Sequence, residues 1–187
     1  MIELFAYFEK FQRLNEKDKN VLTEICQISK VKKNETLQQL GHTCKTIYFL
    51  KSGIARIYYY KDGIDITESF AFKGNIIARV ESLFTGKPSQ KAIHILEDAE
   101  IVGINATQLF KLYDINPQIE RLFRLIFENA YVDTICRIES IQFHSAEERY
   151  LALLNETNIV QKIPLKHIAS YLGITQVSLS RIRATIK

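Results

Sequence analysis

No apolar run in the 187 residues reaches the length needed to span a membrane. The opening stretch, MIELFAYFEKFQRL, lacks the basic start and small-residue cleavage site of a secretory signal peptide. Cysteine is scarce: Cys26, Cys44 and Cys136 are odd in number and far apart. That excludes a disulfide framework and an iron–sulfur ligand spacing, and it fits a reducing compartment. His42, His94, His144 and His167 are equally scattered, with no pair at metal-ligand spacing. There is no nucleophile–base pairing, no glycine loop of P-loop spacing and no internal repeat. These absences predict a cytoplasmic protein with no catalytic residues, no cofactor and no metal. At 47% hydrophobic, the chain can bury one good core and a small satellite domain.

Acidic residues are missing from one place in particular. From Asn158 to Lys187 there is no Asp or Glu, against five bases: Lys162, Lys166, Arg181, Arg183 and Lys187. The other 157 residues carry 20 bases and 21 acids, so the whole positive excess lies in this tail. Such an end is an electrostatic footprint for phosphate. A merely solvated basic tail would not need the apolar frame that runs through it. Counting Leu165 as the first place, Ala169 is fifth, Gly173 ninth, Leu179 fifteenth and Ile182 eighteenth. A small residue lets two helices approach, a glycine makes the turn, and spaced aliphatics bury the second helix on the first. A helical hairpin inside some other core uses the same spacing, and the charge favours nucleic acid. Thr175 is the predicted N-cap of a second helix starting near Gln176. Its outward face should present Gln176, Ser178, Arg181 and Thr185 to base edges and phosphates.

Residues 1–28 read as two short helices, with Leu4, Phe5, Phe8 and Phe11 as an apolar stripe and Asn15 capping Glu16 to Cys26. From Ser29 the texture changes. Six of the seven glycines fall between Gly41 and Gly103, separated by β-branched and aromatic runs such as TIYFLKSG, IARIYYYKDG and IDITESFAFKG. That rhythm predicts an antiparallel sandwich or barrel-like roll, with Asp62-Gly63 as a hairpin turn. Ala106 to Asp114 reads as a short helix, and Asn116-Pro117 as the start of a long one running to about Gln142. The long helix is apolar on more than one stripe. One face can pack on the roll, and a second copy of the same helix is the economical cover for the other. Ser145 to Glu148 is a capping box opening a further helix, and Pro164 suits the first turn of the next.

In order, this is two helices, a glycine-punctuated roll, a long helix, a hinge and a terminal helix-turn-helix. The whole resembles the Crp/Fnr family of bacterial transcription regulators, most closely in YFLKSGIARIYYYKDG and HIASYLGITQVSLSRIR. The resemblance implies an α+β fold: an N-terminal antiparallel β-roll of the double-stranded β-helix (jelly-roll) type with flanking helices, over 1–115. A long dimerisation helix over 116–142 and a helix-turn-helix domain over 143–187 follow. It implies a homodimer through the long helix, double-stranded DNA and RNA polymerase as partners, and an effector pocket in the roll.

Family members read bases with an Arg, a Glu and a second Arg. The matching positions here are Gln176, Val177 and Arg181, so Arg181 is expected to grip a guanine and the target sequence to differ. With Thr175, Ser178 and Lys187 these form the expected DNA-binding set. Cyclic-nucleotide-binding members hold the ribose with a Gly-Glu pair and the phosphate with an Arg-Ser or Arg-Thr pair. Here Ala78-Arg79 and Ser89-Gln90 stand near those places. An Arg cannot accept ribose hydroxyl bonds and a Gln cannot neutralise a phosphate, so cyclic AMP is not the expected effector. Arg79, Ser89 and Gln90 are the candidates for some other small-molecule effector. Family members often continue into a β-hairpin wing. The sequence stops at Lys187, which leaves affinity to helix contacts and dimerisation. The alternative function is a ligand-sensing roll whose terminal domain contacts protein.

Overall fold

A computed structural model of the chain describes residues 1–156 and 158–186, giving the backbone alone for 156, 158 and 159. Two helices lead, α1 (Ile2–Phe8) and α2 (Glu16–Glu24). Asn15 caps α2 as expected, its Oδ1 accepting from Asp18 N at 2.8 Å. The helix ends before the predicted Cys26, because Cys26 already pairs with Ile104 as the first residue of strand β1 (Cys26–Val31). A tertiary partner 78 residues away sets that boundary, which local periodicity cannot register.

The roll follows as β2 (Thr36–Gln38), β3 (Thr46–Leu50), β4 (Ile54–Lys61), β5 (Ile64–Ala71), β6 (Ile76–Ile77), α3 (Val80–Thr85), β7 (Ala92–Glu97) and β8 (Ala99–Asn105). Its two four-stranded sheets have the orders β1-β8-β3-β6 and β2-β7-β4-β5. The antiparallel, glycine-punctuated reading holds. One turn needs its glycine outright: Gly53 has φ +87°, and a Cβ there would stand 2.7 Å from the Cβ of Ala99. The Asp62-Gly63 turn between β4 and β5 has φ +52° and +77°, the pair of positive angles a two-residue hairpin asks for. Leu50, Ala55, Ile57, Ile93, Ile95 and Ile101 pack between the sheets.

After α4 (Ala106–Tyr113) comes α5 (Pro117–Phe143), 27 residues and so about 40 Å long. Asn116 starts it, its Oδ1 accepting from Gln118 N at 3.1 Å while its Nδ2 donates to Asp18 Oδ1 at 2.7 Å. The chain divides into two compact units, Met1–Ile57 with Phe70–Asn129, and Tyr58–Ser69 with Ala130–Lys187. In the first, α5 buries Ile119, Leu122, Phe123 and Ile126 in a core shared with Leu4 and Phe8; the Phe8 and Phe123 rings meet edge-on at 5.5 Å. In the second, the same helix leaves Tyr131, Val132, Ile138 and Ile141 at 67%, 57%, 45% and 54% exposure.

The second unit also holds α6 (Ala146–Glu156), α7 (Leu165–Leu172) and α8 (Gln176–Thr185), with a 3-10 turn at Asn158–Lys162. The capping box forms as read. Ser145 N donates to Glu148 Oε2 at 2.7 Å, and Glu148 N donates to Ser145 Oγ at 3.2 Å. Pro164 stands at the N-cap of α7, one place ahead of the first turn. Tyr150, Leu153, Ile163, Ile168, Leu172 and Leu179 are the main buried apolar residues of these helices.

Candidate nucleic-acid interface

Helices α7 and α8 are joined by three residues. Gly173 takes the left-handed conformation (φ 71°, ψ 29°), so Ile174 N can reach Ala169 O at 3.0 Å and close α7. Thr175 is the N-cap of α8, its Oγ1 accepting from Ser178 N at 3.1 Å. The frame is as expected: Ala169 is 2% exposed and Leu179 is fully buried.

The outward face differs in detail from the predicted one. At about 100° per residue, the direction opposite Leu179 passes through Val177, Arg181 and Ala184, with exposed Thr185 beside Arg181, as predicted, and Ser180 beside Ala184. Val177, Ser180, Arg181 and Ala184 are all exposed, Val177 at 61%. Gln176 is exposed on the flank of that face. Ser178 is half-buried, and its hydroxyl lies 2.9 Å from that of Thr175, so both hydroxyls serve the cap first. Lys166 and Arg183 are exposed as well, while Lys187 lies outside the described residues. Ser180 and Ala184 are on this exposed side without having been predicted there.

Two arginines hold α7 in position. Arg137, on α5, donates from Nη2 to the Tyr171 carbonyl and lays its guanidinium over the Tyr171 ring at 3.8 Å. Arg149, on α6, donates from Nη2 to Leu172 O at 2.7 Å and from Nη1 to the His144 carbonyl. The last carbonyls of a helix have no partner within it and carry its negative dipole end, so two cations there satisfy both needs. Tyr58–Ser69, the outer part of the β4–β5 hairpin, belongs to the same unit and adds a third tie, Thr67 N donating to Ser170 Oγ at 3.1 Å.

In the first unit, the structure brings two of the three effector candidates together. Arg79 is 6% exposed, its Nε donates to Ser89 Oγ at 3.4 Å, and its Nη2 lies 3.6 Å from Glu81 Oε2. Ser89 is fully buried and bonded on every side. Its hydroxyl donates to Lys91 O at 2.9 Å and accepts from Lys91 N at 3.1 Å, and its backbone pairs with Gly41 and His42. Gln90, the third candidate, is exposed. Among the described residues no three His, Cys, Asp or Glu side chains gather to hold a metal, and no helix is long and apolar enough to cross a membrane.

Residues 28–116 match the family model of the cyclic nucleotide-binding domain. A comparison with curated protein sequences gives no match. Among solved structures, FixK2 from Bradyrhizobium japonicum is similar over 87% of this chain and 84% of its own, with TM-score 0.73 at 18% identity. A Eubacterium rectale protein assigned to the Crp/Fnr transcriptional regulators covers 96% and 87%, with TM-score 0.74 at 21% identity. The c-di-GMP-responsive regulator CLP of Xanthomonas campestris covers 92% and 91%, with TM-score 0.69 at 14% identity. The fold is that of the Crp/Fnr regulators. The family model ends at Asn116, before α5 begins, whereas the Eubacterium rectale structure matches 96% of the chain. Of these three, the Eubacterium rectale and Xanthomonas campestris proteins are described as regulators.

Proposed function

We propose that this protein is a cytoplasmic, homodimeric transcription regulator that reads double-stranded DNA with α8 in the major groove and acts on RNA polymerase. The supporting observation is the exposed Val177–Arg181 face of α8, standing on an acid-free end that carries the chain's entire positive excess. Arg181 would grip a guanine with two bonds, and Val177 would touch a thymine methyl. Gln176, on the flank, would address an adenine, while Thr175 and Ser178 fix the start of the helix. Exposed Lys166 suits phosphate.

Dimerisation would use Tyr131, Ile135 and Ile138, an exposed apolar row spaced by four and three residues on the second half of α5, with Val132 and Ile141 flanking it on either side. Two copies would then place α8 in successive grooves about 34 Å apart, so the site would be a pseudo-palindrome. Cyclic AMP is not the effector in this reading. Arg79 offers only donors where the ribose needs an acceptor, and it is already engaged by Ser89 and Glu81.

The experiment is a fluorescence-anisotropy titration on duplexes selected from genomic fragments and on scrambled ones, at several salt concentrations. Arg181→Ala should cost about 1–3 kcal/mol on the selected site and relax one base position in each half. Equal losses on selected and scrambled DNA would remove Arg181 from base reading. Absence of any salt-dependent binding by the folded dimer would favour a protein-contacting terminal domain.

A further inference from the structure

In the first unit, α1 and the turn after β5 flank a cavity of about 190 Å³. Its floor is Phe49 and Leu50 of β3, and Ala6 and Tyr7 of α1 form a wall. Phe49 and Leu50 are 1% and 0% exposed, so they back the cavity from the packed core, and exposed Ala6 with half-buried Tyr7 presents its open apolar surface. An apolar cavity of about 150 Å³ accommodates benzene. The present one therefore has room for a single ring or a short branched chain, with a polar head at its mouth.

The mouth is cationic. Lys10, Lys51 and Lys73 line it, with Glu3 as the single carboxylate among the lining residues. Lys73 sits on a rigid turn: Gly74 N donates to Leu50 O at 2.8 Å, Leu50 N to Asn75 O at 3.0 Å, and Phe72 N to Asn75 Oδ1 at 2.9 Å. Lys10 Nζ lies 5.7 Å from the centre of the Tyr7 ring. Lys51 is already matched by Glu100 at 2.8 Å, and Glu3 makes only a loose second contact with it at 3.7 Å. The mouth therefore has ammonium groups in excess, and its one competing carboxylate is weakly held.

We propose that this cavity is a binding site for a small monocarboxylate with one ring or a short branched chain. The apolar body would lie against Ala6 and Tyr7, above the buried Phe49 and Leu50. The carboxylate would accept from Lys10 and Lys73 and compete with Glu3 at Lys51. Ammonium groups donate and cannot accept, so the corresponding neutral amide is a poor match at the mouth. This site is independent of the DNA-reading proposal and of the Arg79–Ser89 cluster.

The test is a titration of the full chain with phenylacetate and, separately, phenylacetamide, followed through the methyl resonances of Ala6 and Leu50. Phenylacetate should shift both methyls saturably, and the amide should bind several-fold more weakly. Glu3 and Lys73 are exposed, so substitution should not disturb folding. Lys73→Gln should raise the phenylacetate Kd about two- to fivefold, and Glu3→Gln should lower it by a similar factor. The proposal is overturned if phenylacetate leaves the Ala6 and Leu50 methyls unmoved, if acid and amide bind alike, or if neither substitution changes the Kd.

Discussion

Arg137→Ala should loosen the α7–α8 pair without unfolding the roll. The side chain is half-buried and makes two contacts with one residue, a bond to the Tyr171 carbonyl and a guanidinium stacked on the Tyr171 ring at 3.8 Å. A hydrogen bond from a charged donor contributes about 1.5–3 kcal/mol net, and a partly exposed cation–π contact about 0.5–1 kcal/mol. Water replaces part of the first once the side chain is gone, so the loss should come to about 2 kcal/mol. It should fall on the docking of α7, because Arg137 and Tyr171 share the unit that contains α7 and α8. Hydrogen-exchange mass spectrometry separates this from global destabilisation. Amides of 165–172 should open about thirtyfold faster, at 1.4 kcal/mol per factor of ten, while those of β3 and β8 keep their protection. Arg137→Lys keeps the charge but loses the flat stacking surface, and should recover only part of the protection. Unchanged exchange in 165–172 would refute the reasoning, as would an equal acceleration in the roll.

Two further substitutions separate the faces of α5. Val132→Asp, at a 57%-exposed position, should shift sedimentation to the monomer with the fold retained, whereas Ile126→Asp, at 4% exposure, should unfold the chain at a cost of about 3 kcal/mol or more. A stable dimer of the first variant would remove the long-helix interface. Glu148 sits below its usual value of 4.5, held there by the Ser145 backbone N–H and then by the Ser145 side chain. A depressed carboxylate contributes stability above its usual value and loses it as pH falls through the depressed one. Glu148→Gln keeps an acceptor in the capping box. Its circular-dichroism acid transition should therefore be less steep in that window than the parent's, and identical transitions would count against the assignment.

Much of this fold is written in short-range chemistry. Asn15, Asp62-Gly63, Asn116-Pro117 and Ser145–Glu148 each act within a few residues of themselves, and each appears where the sequence puts it. The start of β1 was not legible, because its pairing with β8 decides it. Nor were the two arginines that close α7. They come from 34 and 23 residues away on other helices, and nothing local distinguishes them from solvated charges. The exposed face of α8 was legible at Arg181 and less so at Ser178. Ser178 has a side chain suited to DNA, but its hydroxyl meets that of Thr175 at 2.9 Å. The monocarboxylate cavity left no trace in the sequence, since its lysines lie on three separate elements.

The same kind of charge does two jobs in the second unit, and salt should tell them apart. Arg137 and Arg149 donate directly to helix-end carbonyls at contact distance from partly buried positions. At physiological ionic strength the screening length is about 8 Å, several times that separation, so added salt barely weakens such contacts. Lys166, Arg181 and Arg183 instead stand in solvent, and in the proposed complex they would displace the counterions condensed on DNA. Raising salt from 50 to 200 mM should therefore lower DNA affinity by a large factor. The denaturation midpoint of the protein, followed by circular dichroism, should hardly move. If the midpoint fell in step with affinity, the lost binding would reflect a loosened α7–α8 pair. The exposed bases would then have no claim to the phosphates.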